Sequence, residues 1–151
     1  MNYSQLQLKK PMQQADSKQR MRSVNPSDQP ILAKWIANDP AHAGVLTPEF
    51  FMSDQAQCLV YEAFDGLNHH PALYIRLEPV TPVLIRAFVQ FPDDRRNGRH
   101  LMGAFQIVKD TLAKAGFTHL VFDSVSPTLI RFCTRRLGFV YAGEQDYIAT
   151  L

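Results

Sequence analysis

The chain has 151 residues, of which 46% are hydrophobic, so it is long enough to form one domain with a buried core. Its net charge of +2 is too small to indicate a nucleic-acid-binding protein. No apolar run approaches the roughly 18 residues of a membrane span, and the N-terminus lacks the apolar segment of a signal peptide. We expect a cytoplasmic protein with no membrane partner and no specific nucleic-acid partner.

The first 18 residues are rich in Gln and Lys and poor in branched apolar side chains. Such a segment buries too little apolar surface to become ordered by itself. We expect residues 1–18 to form a flexible polar tail and residues 19–151 to form the folded domain. A tail that becomes ordered against a protein partner is the alternative.

The folded domain is predicted to start with a short strand near residues 22–24. Asn25-Pro26 ends it because the residue before a proline avoids the helical conformation. Apolar residues at helical spacing then predict a helix over 31–36, with Asp28 or the serine before it as its cap. A second, shorter helix is predicted at 47–51, where a threonine precedes a proline.

Three strands are predicted next, over residues 57–63, 73–78 and 83–91. The third is the strongest strand prediction because its nine residues are mostly β-branched or aromatic. A long turn with the pair His69-His70 joins the first two. Neither this pair nor the two cysteines of the chain have metal-ligand spacing, so no metal site is predicted, and two cysteines make no disulfide framework.

The second half of the chain alternates helices and strands. Apolar residues at spacings of three and four predict a helix over 99–115, and a short apolar strand follows at 119–123. A helix is predicted from Ser126 to Gly138, and two strands, 140–143 and 147–151, close the chain. Because strand–helix–strand connections are right-handed, the strands on either side of the 99–115 helix should be parallel.

The segment before the 99–115 helix carries three arginines around a glycine, FPDDRRNGRH. It lies at the carboxyl end of a predicted parallel strand, where open α/β sheets bind ligands. The first amides of a helix are unpaired donors with a partial positive charge, and Gly98 allows close approach, so this segment is predicted to bind pyrophosphate. The residues expected to hold the anion are Arg95, Arg96, Asn97, Gly98, Arg99, His100 and Leu101.

Two motifs, one at residues 92–100 and one at 126–139, resemble motifs of the GNAT acyltransferase superfamily. The cofactor loop of that family, V-x-P-x-x-R-x-x-G-x-G/A, is matched at Pro92, Arg95 and Gly98. The resemblance covers about residues 20–151. It implies an α/β fold with a mixed central sheet of about six to seven strands, a splayed parallel pair and about four flanking helices. The later family motif, N-x-x-A-I-x-F-Y-x-x-x-G-F, is matched within SPTLIRFCTRRLGF at Ile130, Phe132, Gly138 and Phe139.

The resemblance implies an N-acyltransferase that moves an acetyl group from acetyl-CoA to an amine, without a metal. Backbone groups of Val89 and Phe91 would hold the pantetheine and polarise the thioester carbonyl, while the 95–101 segment holds the pyrophosphate. The acceptor amine would enter over the 38–46 loop and the turn at 64–71. Nothing in the sequence identifies that amine.

The sequence departs from the family pattern at two positions. His100 stands where the family has glycine or alanine, and the last helix lacks the tyrosine that protonates the leaving thiolate in many relatives. Cys133 or Thr134 takes that position, depending on the direction of counting, although Cys133 also falls on the apolar stripe of its helix. Glu62, Glu78 and Asp123 are candidates for the group that accepts the amine proton, and a water relay is the alternative.

A catalytically inactive GNAT-fold binding or assembly module is the second reading. Some virion-associated proteins of tailed phages are similar, with one degenerate GNAT-like domain. The missing tyrosine, His100 and the polar tail favour this reading. An open channel between the two parallel strands would favour coenzyme binding, whereas a channel filled by His100 or Phe91 would favour the module.

Overall fold

The computed structural model describes residues 19–92 and 98–151. These residues form one seven-stranded sheet in the order β1-β2-β3-β4-β5-β7-β6, three α-helices and two 3-10 turns. The tail at 1–18 and the residues at 93–97 lie outside the described part of the chain. The strands are β1 (Gln19–Ser23), β2 (Gln57–Phe64), β3 (His69–Pro79), β4 (Leu84–Gln90), β5 (His119–Asp123), β6 (Val140–Gly143) and β7 (Asp146–Thr150), and the helices are α1 (Gln29–Ala37), α2 (Gly98–Lys114) and α3 (Pro127–Arg136).

The pairing of β4 with β5 is the one parallel pairing among the described strands, and it is short. Only Leu84–Arg86 pairs with His119–Val121, so the two strands separate before their carboxyl ends. Ile85–Gln90 of β4 pair with β3, and β5 pairs with β7 along its whole length, so each strand keeps a partner on its outer side. The predicted splayed parallel pair is therefore confirmed.

Both faces of the sheet are covered. Helices α2 and α3 pack on one face, where Leu112, Ile107 and Cys133 join the larger core cluster. Helix α1 and the turn at 48–51 pack on the other face, against buried Val60 and Tyr74. Burial of an aliphatic or aromatic side chain contributes roughly 1.5–3 kcal/mol, so these two apolar layers stabilise the sheet from both sides.

Asp28 fixes the start of α1, although its role differs from the predicted helix cap. It occupies the N-cap position without a capping hydrogen bond from its side chain. Its buried carboxylate instead accepts hydrogen bonds from Arg22 at 2.9 Å, from the backbone N–H of Asn25 at 2.9 Å and from the hydroxyl of Tyr74 at 2.7 Å. The carboxylate therefore ties β1, α1 and β3 together.

Two further sequence predictions need correction. The described residues contain three α-helices, because the predicted helix at 47–51 is a four-residue 3-10 turn, Pro48–Phe51. A segment of that length makes too few hydrogen bonds to offset the cost of starting an α-helix. Strand β3 begins at His69 rather than near residue 73, since the turn before it is closed by Asp65 and Asn68. No helix in the described ranges is long and apolar enough to cross a membrane.

Candidate functional site

A cavity of about 450 Å³ opens where β4 and β5 separate. Its walls are mostly apolar, and its volume lies in the range of small-molecule and cofactor sites. Side chains from both faces of the sheet contribute to it, so the cavity passes through the gap between the strands. The strand residues that line the gap are Ala87, Phe88, Val89, Leu120, Phe122 and Asp123.

On the face of α2 and α3, the cavity wall is apolar. Leu129 and Cys133 of α3, with Leu137 directly after it, line the cavity because they are four residues apart and share one side of the helix. Leu101 lines it from α2, and Phe91 lines it from the end of β4. Three of the predicted coenzyme-binding residues, Val89, Phe91 and Leu101, therefore lie at the cavity.

The predicted pyrophosphate segment is described only in part, since Arg95, Arg96 and Asn97 lie outside the described residues. Gly98 begins α2 beside Phe132 of α3, and a Cβ atom there would lie 2.6 Å from a carbon of that ring. Helix packing therefore favours glycine at this position, whether or not an anion binds. Arg99, in the first turn of α2, is exposed.

His100 does not line the cavity. Its ring packs against Tyr61 of β2, with 6.1 Å between the ring centroids. Burial, together with the charge of Arg99, holds the pKa of His100 below its ordinary value, so the ring is neutral at neutral pH. Phe91 is 2% exposed and forms part of the wall without closing the gap. The channel between the separated ends of β4 and β5 is therefore open, which is the arrangement expected for coenzyme binding.

The two residues predicted at the general-acid position have different environments. Cys133 lines the cavity, but burial raises the pKa of its thiol to about 12. An ordinary thiol has a pKa of about 8.5, so Cys133 would have to protonate a thiolate that is a much weaker base than its own. The Thr134 hydroxyl donates to the carbonyl of Ile130 at 2.9 Å and does not line the cavity.

The three predicted proton acceptors are also in different places. Glu78 lies on β3, is paired with Arg76 and does not line the cavity. Glu62 lies on β2, is 4% exposed and is bound by Arg20 and Arg22, so it belongs to the ion-pair network of β1 and β2. Asp123 ends β5 and lines the cavity, and its half-exposed side chain is 3.2 Å from Arg86. Asp123 is thus the one of the three that the fold brings to the cavity.

On the face of α1, the cavity wall contains a polar cluster that the sequence analysis missed. Asp39 and His42 line the cavity, and Gln90 of β4 is completely buried behind them. The Gln90 side chain donates to Asp39 at 3.1 Å and to the backbone carbonyl of Phe91 at 2.9 Å. His42 Nδ1 is 2.6 Å from Gln90 Oε1 and 3.2 Å from Asp39 Oδ2. Gln90 itself was a signal, because it is a polar residue inside the most apolar predicted strand.

The sequence predicts neither a metal site nor a disulfide framework, and the described residues bear on both points. Cys58 and Cys133 are buried as free thiols. Within residues 19–92 and 98–151, no three His, Cys, Asp or Glu side chains are grouped as metal ligands.

No protein-family model matches the sequence, and a search of curated proteins gives no sequence match. Solved structures do match. A domain from Methanocaldococcus jannaschii aligns with a TM-score of 0.71 and 13% identity over 89% of this chain and 99% of its own. A GCN5-related N-acetyltransferase from Kribbella flavida aligns at 0.62 and 18% identity, over 91% and 100%. The Escherichia coli ribosomal-protein-S18-alanine N-acetyltransferase aligns at 0.63 and 17%, over 88% and 92%. At such identities the likeness shows the fold, which is the predicted GNAT fold.

Proposed function

We propose that this protein is an N-acyltransferase that moves an acetyl group from acetyl-CoA to an amine. The observation that carries the proposal is the open, mostly apolar cavity between the separated ends of β4 and β5. A thioester arm needs a narrow passage with backbone hydrogen-bonding groups on its wall, and a gap between two strands supplies both. The GNAT fold of the solved acetyltransferases supports the same reading.

The backbone groups of β4 point alternately toward β3 and toward β5, and this supports the predicted role of Val89. The carbonyl of Val83 points toward β5, where it accepts from Thr118 N at 2.8 Å. Backbone groups of alternate strand residues point to the same side, so those of Ala87 and Val89 face the gap. Beyond Arg86 no pairing with β5 takes up these groups. They can therefore bind the pantetheine arm and polarise the thioester carbonyl.

In the proposed reaction, the amine nitrogen attacks the thioester carbonyl carbon directly. The new N–C bond forms, the C–S bond breaks, and the electron pair leaves with the coenzyme sulfur. The coenzyme thiolate has roughly the basicity of an ordinary thiol, so water is able to protonate it. Cys133 is not needed as an acid in this scheme, and the predicted Arg95–Leu101 segment would hold the pyrophosphate at the cavity mouth.

One observation favours the inactive binding module as a second candidate. None of the described residues that line the cavity is a tyrosine, so the phenol acid of many relatives has no equivalent among them. Without any acid or base, the same cavity would bind a coenzyme A thioester without turning it over. The two candidates therefore make the same prediction for binding and opposite predictions for turnover.

Calorimetry with acetyl-CoA tests the binding step that both enzyme and coenzyme-binding module require. Ala87→Leu adds bulk in the gap and should weaken binding at least tenfold, whereas Ala142→Leu is a matched control on the exposed edge strand β6. Equal melting temperatures would show that both variants fold. If the wild type releases no heat at millimolar acetyl-CoA, the proposed function is wrong.

A further inference from the structure

We propose that His42 is the catalytic base that accepts the proton of the attacking amine, with Asp39 and Gln90 as its positioning residues. This inference deepens the proposed function and depends on it. His42 lies in the loop after α1, on the face of the sheet opposite α2 and α3. It lines the cavity with a side chain that is 24% exposed, so it is accessible to a small molecule and shielded from bulk water.

The hydrogen bonds of Gln90 determine which nitrogen of His42 carries the proton. Gln90 Nε2 faces the carboxylate of Asp39 and the carbonyl of Phe91, and both groups can only accept. Gln90 Oε1 must then be the acceptor for His42 Nδ1 at 2.6 Å. In the neutral ring the lone pair is consequently on Nε2, which has no hydrogen-bond partner among residues 19–92 and 98–151.

The cluster is held rigidly. Asp39 is 1% exposed, and its other carboxylate oxygen accepts from the backbone N–H of Ala41 at 3.0 Å. The backbone carbonyl of Asp39 accepts from the N–H groups of His42 at 3.0 Å and Ala43 at 2.8 Å, which closes the turn that carries the imidazole. A buried carboxylate 3.2 Å from Nδ1 also stabilises the imidazolium that forms when Nε2 takes a proton.

The other titratable groups at the cavity fit the proton-transfer role less well. Asp123 is paired with Arg86 at the end of β5, and Cys133 keeps its proton through burial. Asp39 has its oxygens occupied by Gln90, His42 and a backbone amide. Phe51, which packs near the His42 ring at 6.5 Å between centroids, carries no charge. In the transfer step, the amine proton moves to His42 Nε2 as the N–C bond forms, and His42 later releases it to solvent.

The first test needs no turnover. In the wild type, imidazole ¹⁵N shifts should show that the neutral form of His42 carries its proton at Nδ1 and has a free lone pair on Nε2. Asp39→Asn should change this signal without changing that of His70, which pairs with Asp65 at the exposed turn before β3. Protonation of His42 at Nε2 in the neutral form would overturn the proposal.

The second test measures release of coenzyme A from acetyl-CoA with benzylamine, spermidine and an alanyl tripeptide as probes. General base catalysis contributes roughly 10²–10⁴-fold, so His42→Gln should lower kcat at least 100-fold with little change in acetyl-CoA affinity. His119→Gln is the matched control, because His119 at the start of β5 contacts Thr118 and does not line the cavity, and it should retain the wild-type rate. His42→Ala should regain part of the rate when imidazole is added, which a purely structural role would not allow.

The pH profile separates catalysis from folding. The wild-type kcat/KM should fall as pH decreases, because an imidazolium cannot accept a proton, and His42→Gln should lose this limb. Asp39→Asn removes a hydrogen-bonding partner of Gln90 and His42, so its kcat should fall while its acetyl-CoA affinity stays close to that of the wild type. A His42→Gln rate within threefold of wild type would overturn the proposal. Binding of acetyl-CoA with no turnover of any probe by the wild type overturns it too, whereas absence of binding rejects the proposed function itself.

Discussion

The two sides of the cavity are built from different kinds of contact. On the side of α2 and α3, the wall consists of apolar side chains at helical spacing, such as Leu129 and Cys133. On the side of α1, the wall depends on a buried hydrogen-bonded group formed by Asp39, His42 and Gln90. An apolar wall tolerates small changes of volume, whereas a buried polar cluster fails when one partner is lost. The α1 side should therefore be the more sensitive of the two to substitution.

Gln90→Leu should produce the largest loss of stability. The substitution keeps approximate volume but leaves the Asp39 carboxylate and His42 Nδ1 with fewer partners in a buried site. Leaving buried polar groups without their hydrogen-bond partner costs roughly 3 kcal/mol when one of them is charged. On the same strand, Val89→Ala on the apolar wall should lower the free energy of unfolding by only about 1–2 kcal/mol. Urea denaturation of both variants measures the difference, and equal losses would contradict the contrast between the two sides.

Cys133 makes the stability of the apolar side sensitive to alkaline pH. Burial raises the pKa of its thiol to about 12, whereas an unfolded cysteine ionises near pH 8.5. The unfolded chain therefore holds fewer protons than the folded chain between these pH values, and stability falls as pH rises through this window. In this window the free energy of unfolding falls by about 1.4 kcal/mol per pH unit, or by about 2 kcal/mol between pH 8.5 and pH 10.

The control for this pH effect is Cys133→Ala. The variant should be less stable than the wild type at pH 7 through loss of packing, but it should lose less additional stability between pH 8.5 and 10. Denaturation curves at several pH values measure this difference. Parallel pH profiles for wild type and variant would show that Cys133 does not cause the alkaline loss.

Gly98 lies where the apolar side meets the predicted pyrophosphate segment, and two effects of its substitution must be separated. Gly98→Ala brings a Cβ atom to 2.6 Å from the Phe132 ring, so it should destabilise the fold by about 1 kcal/mol after the gain in helix propensity. Phe132→Leu removes the ring atoms involved and should relieve this effect in the double variant.

Acetyl-CoA binding by the same pair of variants then reports on the segment itself. If Gly98 is needed for close approach of phosphate, Gly98→Ala should still bind acetyl-CoA more weakly than wild type in the Phe132→Leu background. Restored binding in the double variant would assign Gly98 to helix packing alone.

The same contrast explains what the sequence made predictable. Strand β4 and the stripe of α2 follow from local patterns, because β-branched runs and spacings of three and four are visible within a short window. The parallel order of β4 and β5 followed from the handedness of crossovers. The family resemblance suggested Val89 and Phe91, the predicted helix start suggested Leu101, and all three line the cavity.

The polar side of the cavity was not predictable in this way. Asp39 precedes a proline and resembled a helix stop, and His42 lies in a loop with no regular spacing. They become a cluster only because β4 brings Gln90 against them from about 50 positions later in the chain. Likewise, the ion pairs of Glu62 with β1 arise from strand pairing, which the sequence pattern does not specify residue by residue.

The smallest effect is expected for Thr134→Tyr. Counting back from Gly138 in the family motif places the general acid at this position, so a tyrosine there would raise the rate if that alignment described the site. In the structure, Cys133 and Leu137 face the cavity, whereas Thr134 is one position further around α3 and bonds to the carbonyl of Ile130. A phenol at 134 would therefore point away from the leaving sulfur.

We expect the rate of coenzyme A release by Thr134→Tyr to stay within twofold of wild type and the free energy of unfolding to change by about 0.5 kcal/mol, as for a partly exposed helix position. A rate increase of tenfold or more would mean that α3 presents residue 134 to the bound thioester. In that case a different face of α3 would form the apolar wall of the cavity.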